Sequence, residues 1–520
     1  ACSVAQRRFE QGYNAQRRTE VRAALSEADA PDAILTARVS DRLDAFANSW
    51  HAASTATCED RDHPAFDTRL ACLHGRRAEL ESLLDALVRL DADGAAAALD
   101  ASERLTEPWS CLETAQPRVE PESASIASLR WAIELGEFDA ALELADEALR
   151  ALEPERDREA LAEALWARGI ARVNLGQLDD GLADVEAAHH LAVAQQDAEL
   201  AAESADVLAF NFAMRRSDLS AARAWLRTAE SWIARGATRL RSTDLAVTAA
   251  AIDDADDDRT SAVDRLRRAL AEESCEDCSA KRSVLEALAA TTAGGEGVRY
   301  AQQRFDLVTL RYGPHSPNAV EAGVALAGTL YNAGRNDDAI AEAERTRLAA
   351  LQLTSFDPLK LASLLDTLGK AHMAKHDVTS AVARLEEAVA IVRAPGDTDS
   401  RFGMIVRYDL ARAYVDAGDP RAIVLLQEVV AAIESDFGTE TSELAVVLST
   451  LAQAQLRHGQ RDAALTTLDR ADAIAAAHPE RDVDVRGAGV RDKLQRLRAQ
   501  ACGDTPCPDV TTRLRGSSRR

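Results

Sequence analysis

The chain has 520 residues, a formal net charge of −25 and an aromatic content of only 4%. A molecule this acidic repels phosphate backbones, and no basic face interleaved with aromatic residues stands out, so we expect no nucleic-acid partner. No run of about eighteen uninterrupted apolar residues occurs, so the sequence contains no transmembrane helix.

Residues 1–115 show no internal repeat and predict a small helical bundle. One helix is expected over Val4–Ala28, a second opens at Pro31, and a third runs over Leu70–Leu90 before a short alanine-rich helix. A helix so rich in leucine must bury its apolar stripe to be stable. The third helix therefore supplies core residues, namely Leu73, Leu80, Leu83, Leu84, Leu87 and Leu90.

Eight cysteines fall into three groups, four of them in the predicted bundle. An even number grouped in this way favours disulfides and an oxidising compartment. The four bundle cysteines allow three connectivities, and we favour Cys58 with Cys72 across a short interhelical loop. That choice leaves Cys2 to pair with Cys111 and tie the ends of the bundle together. The other expected local pairs are Cys275 with Cys278 and Cys502 with Cys507.

A proline-containing linker, residues 116–122, separates the bundle from a repeating region, residues 123–479. The repeat is marked by a small residue that opens the second helix of each of nine hairpins. Successive markers are 38 to 42 residues apart, which is the signature of a stacked array. The markers are Ala141, Gly181, Ala221, Ala262, Ala301, Ala339, Ala381, Ala422 and Ala464.

The hairpin Leu165–Ala188 (L-W-A-R-G-I-A-R-V-N-L-G-Q-L-D-D-G-L-A-D-V-E-A-A) resembles a tetratricopeptide repeat (TPR). Connectors such as Tyr312–Pro317 (Y-G-P-H-S-P) are similar to those of the kinesin-light-chain-like variety. The resemblance implies an all-α fold, a right-handed α-solenoid of about nine TPR-like hairpins preceded by a small disulfide-tied helical bundle. Residues 480–502 are expected to form a capping helix, and residues 503–520 a disordered basic tail.

The first segment resembles the region after the membrane helix in bacterial transmembrane Ser/Thr protein kinases that carry C-terminal TPR repeats. The matching features are Trp50 followed by Cys58, the R-L-A-C-L of Arg69–Leu73, and the W-S-C-L of Trp109–Leu112. This resemblance implies an extracytoplasmic sensory or docking region that meets a membrane only through a segment outside this chain. The missing initiator Met and signal segment at Ala1 suggest a processed protein or a fragment of a longer one.

The motifs of a kinase active site are absent. The sequence has no glycine-rich loop on a strand, no V-A-I-K-type lysine and no H-R-D catalytic loop. The D-F-G at Asp436–Gly438 lies in a connector between repeats, where chance explains it best. We therefore expect no enzymatic activity from this chain.

Three groups of possible metal ligands are better explained without a metal. Cys275 and Cys278 lack the second ligand pair of a zinc site, so a local disulfide or idle thiols are favoured. His372 and His376 are four residues apart, but no glutamate follows the first histidine. The acidic run Asp253–Asp258 lacks the turn glycine and closing glutamate of an EF-hand loop and is better assigned to a solvated turn. We expect no metal and no cofactor.

The remaining candidate site is the concave groove that, in TPR arrays, is lined by the first helices. Apolar side chains outnumber charged ones there and Arg130 is the only cation, so an apolar or helical peptide with asparagine-mediated hydrogen bonds is expected rather than a basic clamp. Trp166 and Phe210 could equally fill the array core. The candidate groove residues are Arg130, Trp166, Ile170, Asn174, Phe210, Asn211 and Met214.

Two functions remain open, both non-catalytic. The favoured one is a protein- or peptide-binding solenoid that serves as the sensory or docking region of a membrane-anchored bacterial Ser/Thr protein kinase. The alternative is a free-standing periplasmic or secreted TPR scaffold or adaptor protein.

Overall fold

A computed structural model describes residues 2–28, 34–90, 95–113, 124–153, 156–237, 239–273, 279–353, 356–393, 401–439, 441–478 and 489–502. Within these ranges the chain forms twenty-five helices and no strand. None of the described helices is both long enough and apolar enough to cross a membrane. The prediction of an all-α fold is confirmed.

Six helices form the N-terminal bundle, whose core is centred on the fully buried Trp50. The Trp50 indole stacks on Phe9 with 4.3 Å between ring centroids, and its N–H donates to the Leu73 carbonyl at 2.7 Å. The predicted leucine stripe joins this core, with Leu90 only partly buried. The six helices are α1 (Cys2–Gly12), α2 (Ala15–Ala28), α3 (Ile34–Glu59), α4 (Phe66–Val88), α5 (Ala95–Glu103) and α6 (Ser110–Glu113).

The single helix predicted over Val4–Ala28 is wrong, because the chain breaks between α1 and α2. Asn14 lies at the break, and its Oδ1 accepts a hydrogen bond from the backbone N–H of Arg17 at 2.9 Å. A side-chain oxygen in this role starts a new helix, since it satisfies one of the first free N–H groups. The apolar periodicity continues across the break and hides it in the sequence.

The bundle disulfides join Cys2 to Cys58 and Cys72 to Cys111, so the pairing favoured from the sequence is wrong. The Phe9–Trp50 contact lies seven residues after Cys2 and eight before Cys58. These spacings bring the start of α1 to the end of α3, with the two Cα atoms 6.0 Å apart. Cys72 lies two turns inside α4, where it faces Cys111 of α6 rather than the preceding loop.

The remaining cysteines are described only in part. Cys502 is disulfide-bonded. Cys275, Cys278 and Cys507 lie outside the described residues, so the two other expected pairs stay predictions.

The chain divides into two compact units. Unit 1 consists of Ala1–Thr329 and Ala349–Phe356, and unit 2 of Leu330–Leu348 and Asp357–Arg520. The domain boundaries expected from the sequence stay predictions. The linker 116–122 and the tail 503–520 lie outside the described residues, and the helix α25 (Val490–Cys502) falls within the expected cap.

Nine consecutive helix pairs follow the bundle, the number predicted from the repeat. Five pairs belong to unit 1: α7 (Ala124–Glu134) with α8 (Phe138–Ala151), α9 (Arg158–Asn174) with α10 (Leu178–Gln195), α11 (Ala198–Met214) with α12 (Leu219–Ile233), α13 (Ser242–Ala255) with α14 (Arg259–Glu272), and α15 (Ser279–Thr291) with α16 (Gly294–Tyr312). The division between the units falls within α17 (Pro317–Asn332) and α18 (Asn336–Ala350). Unit 2 holds α19 (Pro358–Ala374) with α20 (Val378–Val392), α21 (Arg401–Ala417) with α22 (Arg421–Phe437), and α23 (Ser442–Arg457) with α24 (Arg461–Ala477).

The small marker residues lie where the two helices of a hairpin touch. A Cβ on Gly181 would lie 2.8 Å from the Gly169 carbonyl oxygen and 2.9 Å from the Val173 backbone nitrogen. Eight of the nine markers are buried as expected. In the third hairpin the register is shifted by one residue, and Ala222 is fully buried instead of Ala221.

Substituting Gly181 by Ala should therefore lower the free energy of unfolding of unit 1 by about 1–3 kcal/mol, because backbone atoms of α9 must move away from the added methyl group. The higher helix propensity of Ala offsets this loss only in part. Chemical denaturation followed by circular dichroism measures the change. Gly328→Ala is the matched control, since this helical glycine has no atom within 4 Å of the added Cβ. Equal stability of the two variants would contradict close helix contact in the second hairpin.

The bundle is also joined to the fifth hairpin by a polar cluster that links residues about 200 positions apart. Arg311 on α16 is 1% exposed and contacts Asp100 of α5 at 2.8 Å. Arg282 contacts the same carboxylate at 2.9 Å, and the Tyr312 hydroxyl donates to it at 2.8 Å. Unit 1 therefore combines the bundle and the hairpins in one packed body.

Unit 2 contains a buried charge network on α19 and α21. Asp366 is 3% exposed and contacts Lys370 at 2.6 Å, and Asp409 is 5% exposed and contacts Arg412 at 2.7 Å. The Asp366 Oδ1 atom is buried without a hydrogen-bond partner. Burial, followed by the charge of Asp409, raises the pKa of Asp366 to about 6, although Lys370 and Arg412 oppose the shift.

This pKa predicts how the stability of unit 2 depends on pH. A carboxyl group with a raised pKa contributes its full stability below the unfolded-state value near 3.8, and that contribution is lost as the pH rises through about 6. Asp366→Asn removes this loss, so the variant should gain roughly 1–3 kcal/mol relative to the natural protein between pH 4 and pH 7. Denaturation at a series of pH values measures the difference. Asp337→Asn, at a side chain that is 79% exposed, should show no such trend; an identical trend in both variants would contradict the assignment.

Candidate functional site

The first helices of the early hairpins place side chains along one face of unit 1. Arg130 on α7, Ile170 on α9 and Phe210 on α11 are 40 residues apart, so they occupy equivalent positions in successive repeats. Ion pairs of Arg130 with residues of both α9 and α11 show that these helices are neighbours. We call this surface the first-helix face, and its members are Arg130, Glu134, Glu163, Ile170, Asn174, Glu203, Asp206, Phe210 and Met214.

The apolar part of the first-helix face is open to solvent. Phe210 is 39% exposed and Met214, one turn further along α11, is 51% exposed. Ile170 on α9 is partly buried. Two large exposed apolar side chains on successive turns form a patch that a ligand could cover.

Arg130 is held by two carboxylates of the same face. Its guanidinium is 2.8 Å from Glu163 Oε1 and 3.2 Å from Glu203 Oε2, and Arg239 contacts Glu203 at 3.4 Å. Burial would lower the pKa of Arg130, but the two glutamate charges outweigh it and raise the pKa well above its usual value. Arg130 therefore stays charged and engaged, which agrees with the expectation that the groove has no basic clamp.

Trp166 is only 7% exposed, so the structure favours its alternative role as a core residue. Its ring packs among small residues of the first two hairpins and lies 4.9 Å below the Arg130 guanidinium. The indole N–H is buried without an acceptor. A ligand would reach Trp166 only after Arg130 moved.

The two asparagines expected to bind a ligand backbone make local hydrogen bonds instead. Asn174 is exposed, and its amide donates to the Ile170 carbonyl at 2.9 Å. Asn211 is 6% exposed and donates to the Val207 carbonyl, also at 2.9 Å. Only Asn174 is therefore accessible to a ligand on this face.

Asp206 lies one turn before Phe210 and is the least satisfied carboxylate of the first-helix face. It is half-buried, and its Oδ1 is out of contact with solvent and has no hydrogen-bond partner. Burial raises the pKa of Asp206 to about 7; a hydrogen bond to Thr248 opposes the shift, and the charges of Asp244 and Glu203 add to it. Burial also raises the pKa of Glu134.

Sequence reasoning missed Glu163, Glu203 and Asp206. The signal was available, because Glu163 and Glu203 are themselves 40 residues apart and Asp206 lies four positions before Phe210. Advancing each candidate by one repeat would have placed these carboxylates beside Arg130. The contribution of Arg239 could not be found in this way, because it lies in the connection before α13, outside the repeat pattern.

The possible metal ligands have other partners. Acidic residues at 253–258 pair with arginines or cap α14, as in Asp253 with Arg265 at 3.2 Å and Asp258 with the Ser261 N–H at 3.1 Å. His372 contacts Asp377 at 3.2 Å, and His376 lies in the turn with φ of 61°. Among the described residues, no three His, Cys, Asp or Glu side chains are arranged to hold a metal ion.

Comparison with known proteins agrees with the helical-repeat architecture. No protein-family model matches the chain, and no curated protein matches it. A Podosopora anserina putative kinesin light chain with nearly identical TPR-like repeats is 20% identical and covers 46% of this chain and 97% of its own, with a TM-score of 0.29. A Rap protein complexed with Competence and Sporulation Factor is 15% identical and covers 72% of this chain and 98% of its own, with a TM-score of 0.41.

The quorum sensor NprR from B. thuringiensis is 10% identical and covers 72% of this chain and 97% of its own, with a TM-score of 0.39. At these identities the likeness concerns the fold alone. The repeat period, the nine helix pairs and the small residues at their contacts define an α-solenoid of TPR-like hairpins.

Proposed function

We propose that unit 1 binds a protein or peptide segment on its first-helix face, and that the chain itself catalyses no reaction. The observation that carries the proposal is the exposed pair Phe210 and Met214 on successive turns of α11. Apolar side chains exposed singly are common, but a contiguous patch on the inner helices of a repeat array favours recognition. Burying the two side chains would remove apolar surface from water and stabilise a complex.

The face suits an extended or helical segment rather than a small molecule. Its polar groups already pair with one another, apart from Asp206, and its apolar side chains lie along a helix instead of around a deep cavity. A segment laid across α9 and α11 could cover Ile170, Phe210 and Met214 together.

Panning a phage-displayed library of random twelve-residue peptides against the immobilised full chain tests the proposal. An enriched peptide should bind the natural protein and should bind at least about tenfold more weakly to a variant carrying Phe210→Gln and Met214→Gln. Gln suits helices and exposed positions, so the fold should persist. The matched control carries Val193→Gln and Leu310→Gln, at positions that are 40% and 69% exposed on second helices. Equal loss of binding in both variants would contradict the proposed site.

We also propose that the chain is the sensory or docking region of a membrane-anchored bacterial Ser/Thr protein kinase and lies outside the cytoplasm. The resemblance of residues 1–115 supports the kinase association, and the two bundle disulfides support an oxidising compartment. The coding sequence upstream of Ala1 tests this proposal. A kinase domain followed by a membrane helix would support it, whereas a cleavable signal peptide would favour the free-standing periplasmic or secreted adaptor.

A further inference from the structure

We propose that Asp206 holds a positively charged group of the bound segment, an arginine or lysine side chain, on the first-helix face. This inference rests on the proposed function, because it names the kind of residue that the peptide or protein segment must carry. It concerns one carboxylate, for which the folded chain provides no cationic partner.

The cations near Asp206 are already engaged. Arg130 contacts Glu163 and Glu203, and Arg239 contacts the same two glutamates. On the other side, Arg241 contacts Asp244 at 3.0 Å. Among the described residues no side chain forms an ion pair with Asp206, and its Oδ1 accepts no hydrogen bond.

A carboxylate in this position destabilises the free protein. A buried acceptor without a partner loses its hydration and gains nothing in return. The pKa of about 7 expresses the same penalty, since burial and the neighbouring carboxylates disfavour the charged form. An arriving guanidinium or ammonium group would supply the missing hydrogen bonds and neutralise the charge.

The surroundings of Asp206 also match the aliphatic stem of a basic side chain. Phe210 lies one turn further along α11, and Met214 follows one turn later. The methylene groups of arginine or lysine can pack against such a surface while the charged end reaches a carboxylate. An arginine can also stack on the exposed Phe210 ring.

Binding of a basic residue should depend on pH in a defined direction. Only the ionised form of Asp206 pairs with a cation, so affinity should rise by about tenfold between pH 6 and pH 8. Other charged groups face this position from neighbouring elements, and Asp206→Asn separates their titration from that of Asp206. These groups are Arg130 and Glu134 on α7, Glu163 on α9, Glu203 on α11, and Arg239, Arg241 and Asp244 in and before α13.

The experiment uses the full chain and the random twelve-residue phage library, panned at pH 8. Enriched peptides should carry arginine or lysine beside an apolar residue, and Asp206→Asn should weaken the best of them about tenfold while abolishing its rise in affinity from pH 6 to pH 8. Replacing the basic residue of the peptide by Gln should cause a similar loss that does not add to that of Asp206→Asn. The matched control Asp306→Asn removes the same charge at an exposed position of α16 and should change nothing.

Two other outcomes would overturn the inference, and they differ from each other. Peptides that lose binding in the Phe210→Gln, Met214→Gln variant, but lack basic residues and ignore Asp206→Asn, would refute the role of Asp206 and keep the proposed function. A failure to enrich any peptide, or enrichment of peptides insensitive to the Phe210 and Met214 substitutions, would refute the proposed function and the inference with it.

Discussion

Substituting Trp166 by Ala is expected to lower the free energy of unfolding of unit 1 by about 3–5 kcal/mol. The side chain is 93% removed from solvent and fills the space between the first two hairpins, where small alanines surround it. Its removal leaves a cavity that these small neighbours cannot fill, and it also removes the surface on which Arg130 rests. Urea unfolding followed by far-ultraviolet circular dichroism measures the loss.

Trp109→Ala is the matched control, because Trp109 belongs to the same unit and is 43% exposed. We expect this substitution to change the stability by less than about 1 kcal/mol. If Trp166→Ala unfolded at the same urea concentration as the natural protein and lost only ligand binding, Trp166 would be a groove residue and its assignment to the core would be wrong.

Replacing Cys72 and Cys111 together by Ala should destabilise unit 1 by about 2–4 kcal/mol. The disulfide closes a loop in which the two cysteines are 39 residues apart, and its loss frees the unfolded chain to explore many more conformations. It also removes the only covalent link between α4 and the short helix α6. Four residues of helix cannot be stable alone, so α6 should lose its structure first.

Thermal unfolding with and without a reducing agent measures this effect. The Cys2→Ala, Cys58→Ala variant should show a loss of similar size, because its cysteines are 56 residues apart. A reducing agent should destabilise the natural protein more than either variant. An unchanged unfolding temperature after removal of Cys72 and Cys111 would show that the bundle does not depend on this disulfide.

The fold could be predicted because its main determinant is periodic. A hairpin that stacks on copies of itself needs a small residue at each helix contact, and Gly169, Gly181 and Gly369 report that requirement directly in the sequence. The register error in the third hairpin arose because Ala221 and Ala222 are adjacent and composition cannot distinguish them.

The bundle was harder to predict because its contacts are not periodic. The disulfide pairing depends on how α1 lies against α3, and that arrangement is set by the Phe9–Trp50 stack. The contact of Asp100 with Arg311 joins positions 211 residues apart, and neither residue lies in a motif. Such pairs can be found only once the path of the chain is known.

The candidate site was predicted in part, for a related reason. Helical spacing correctly assigned Phe210 and Met214 to an exposed position on a first helix. It could not show that Arg130 is neutralised, because its partners Glu163 and Glu203 come from two other hairpins. It also could not show that Asp206 lacks a partner, since an absent contact leaves no pattern in the sequence.

Photo-crosslinking from single positions tests the central claim that the first-helix face is a binding surface. A photoreactive phenylalanine analogue would be placed at position 210, 214, 193 or 310 of the full chain and irradiated with an enriched library peptide. The proposed site predicts strong crosslinking from positions 210 and 214 and background levels from 193 and 310. Crosslinking mainly from 193 or 310, or equal crosslinking from all four positions, would contradict it.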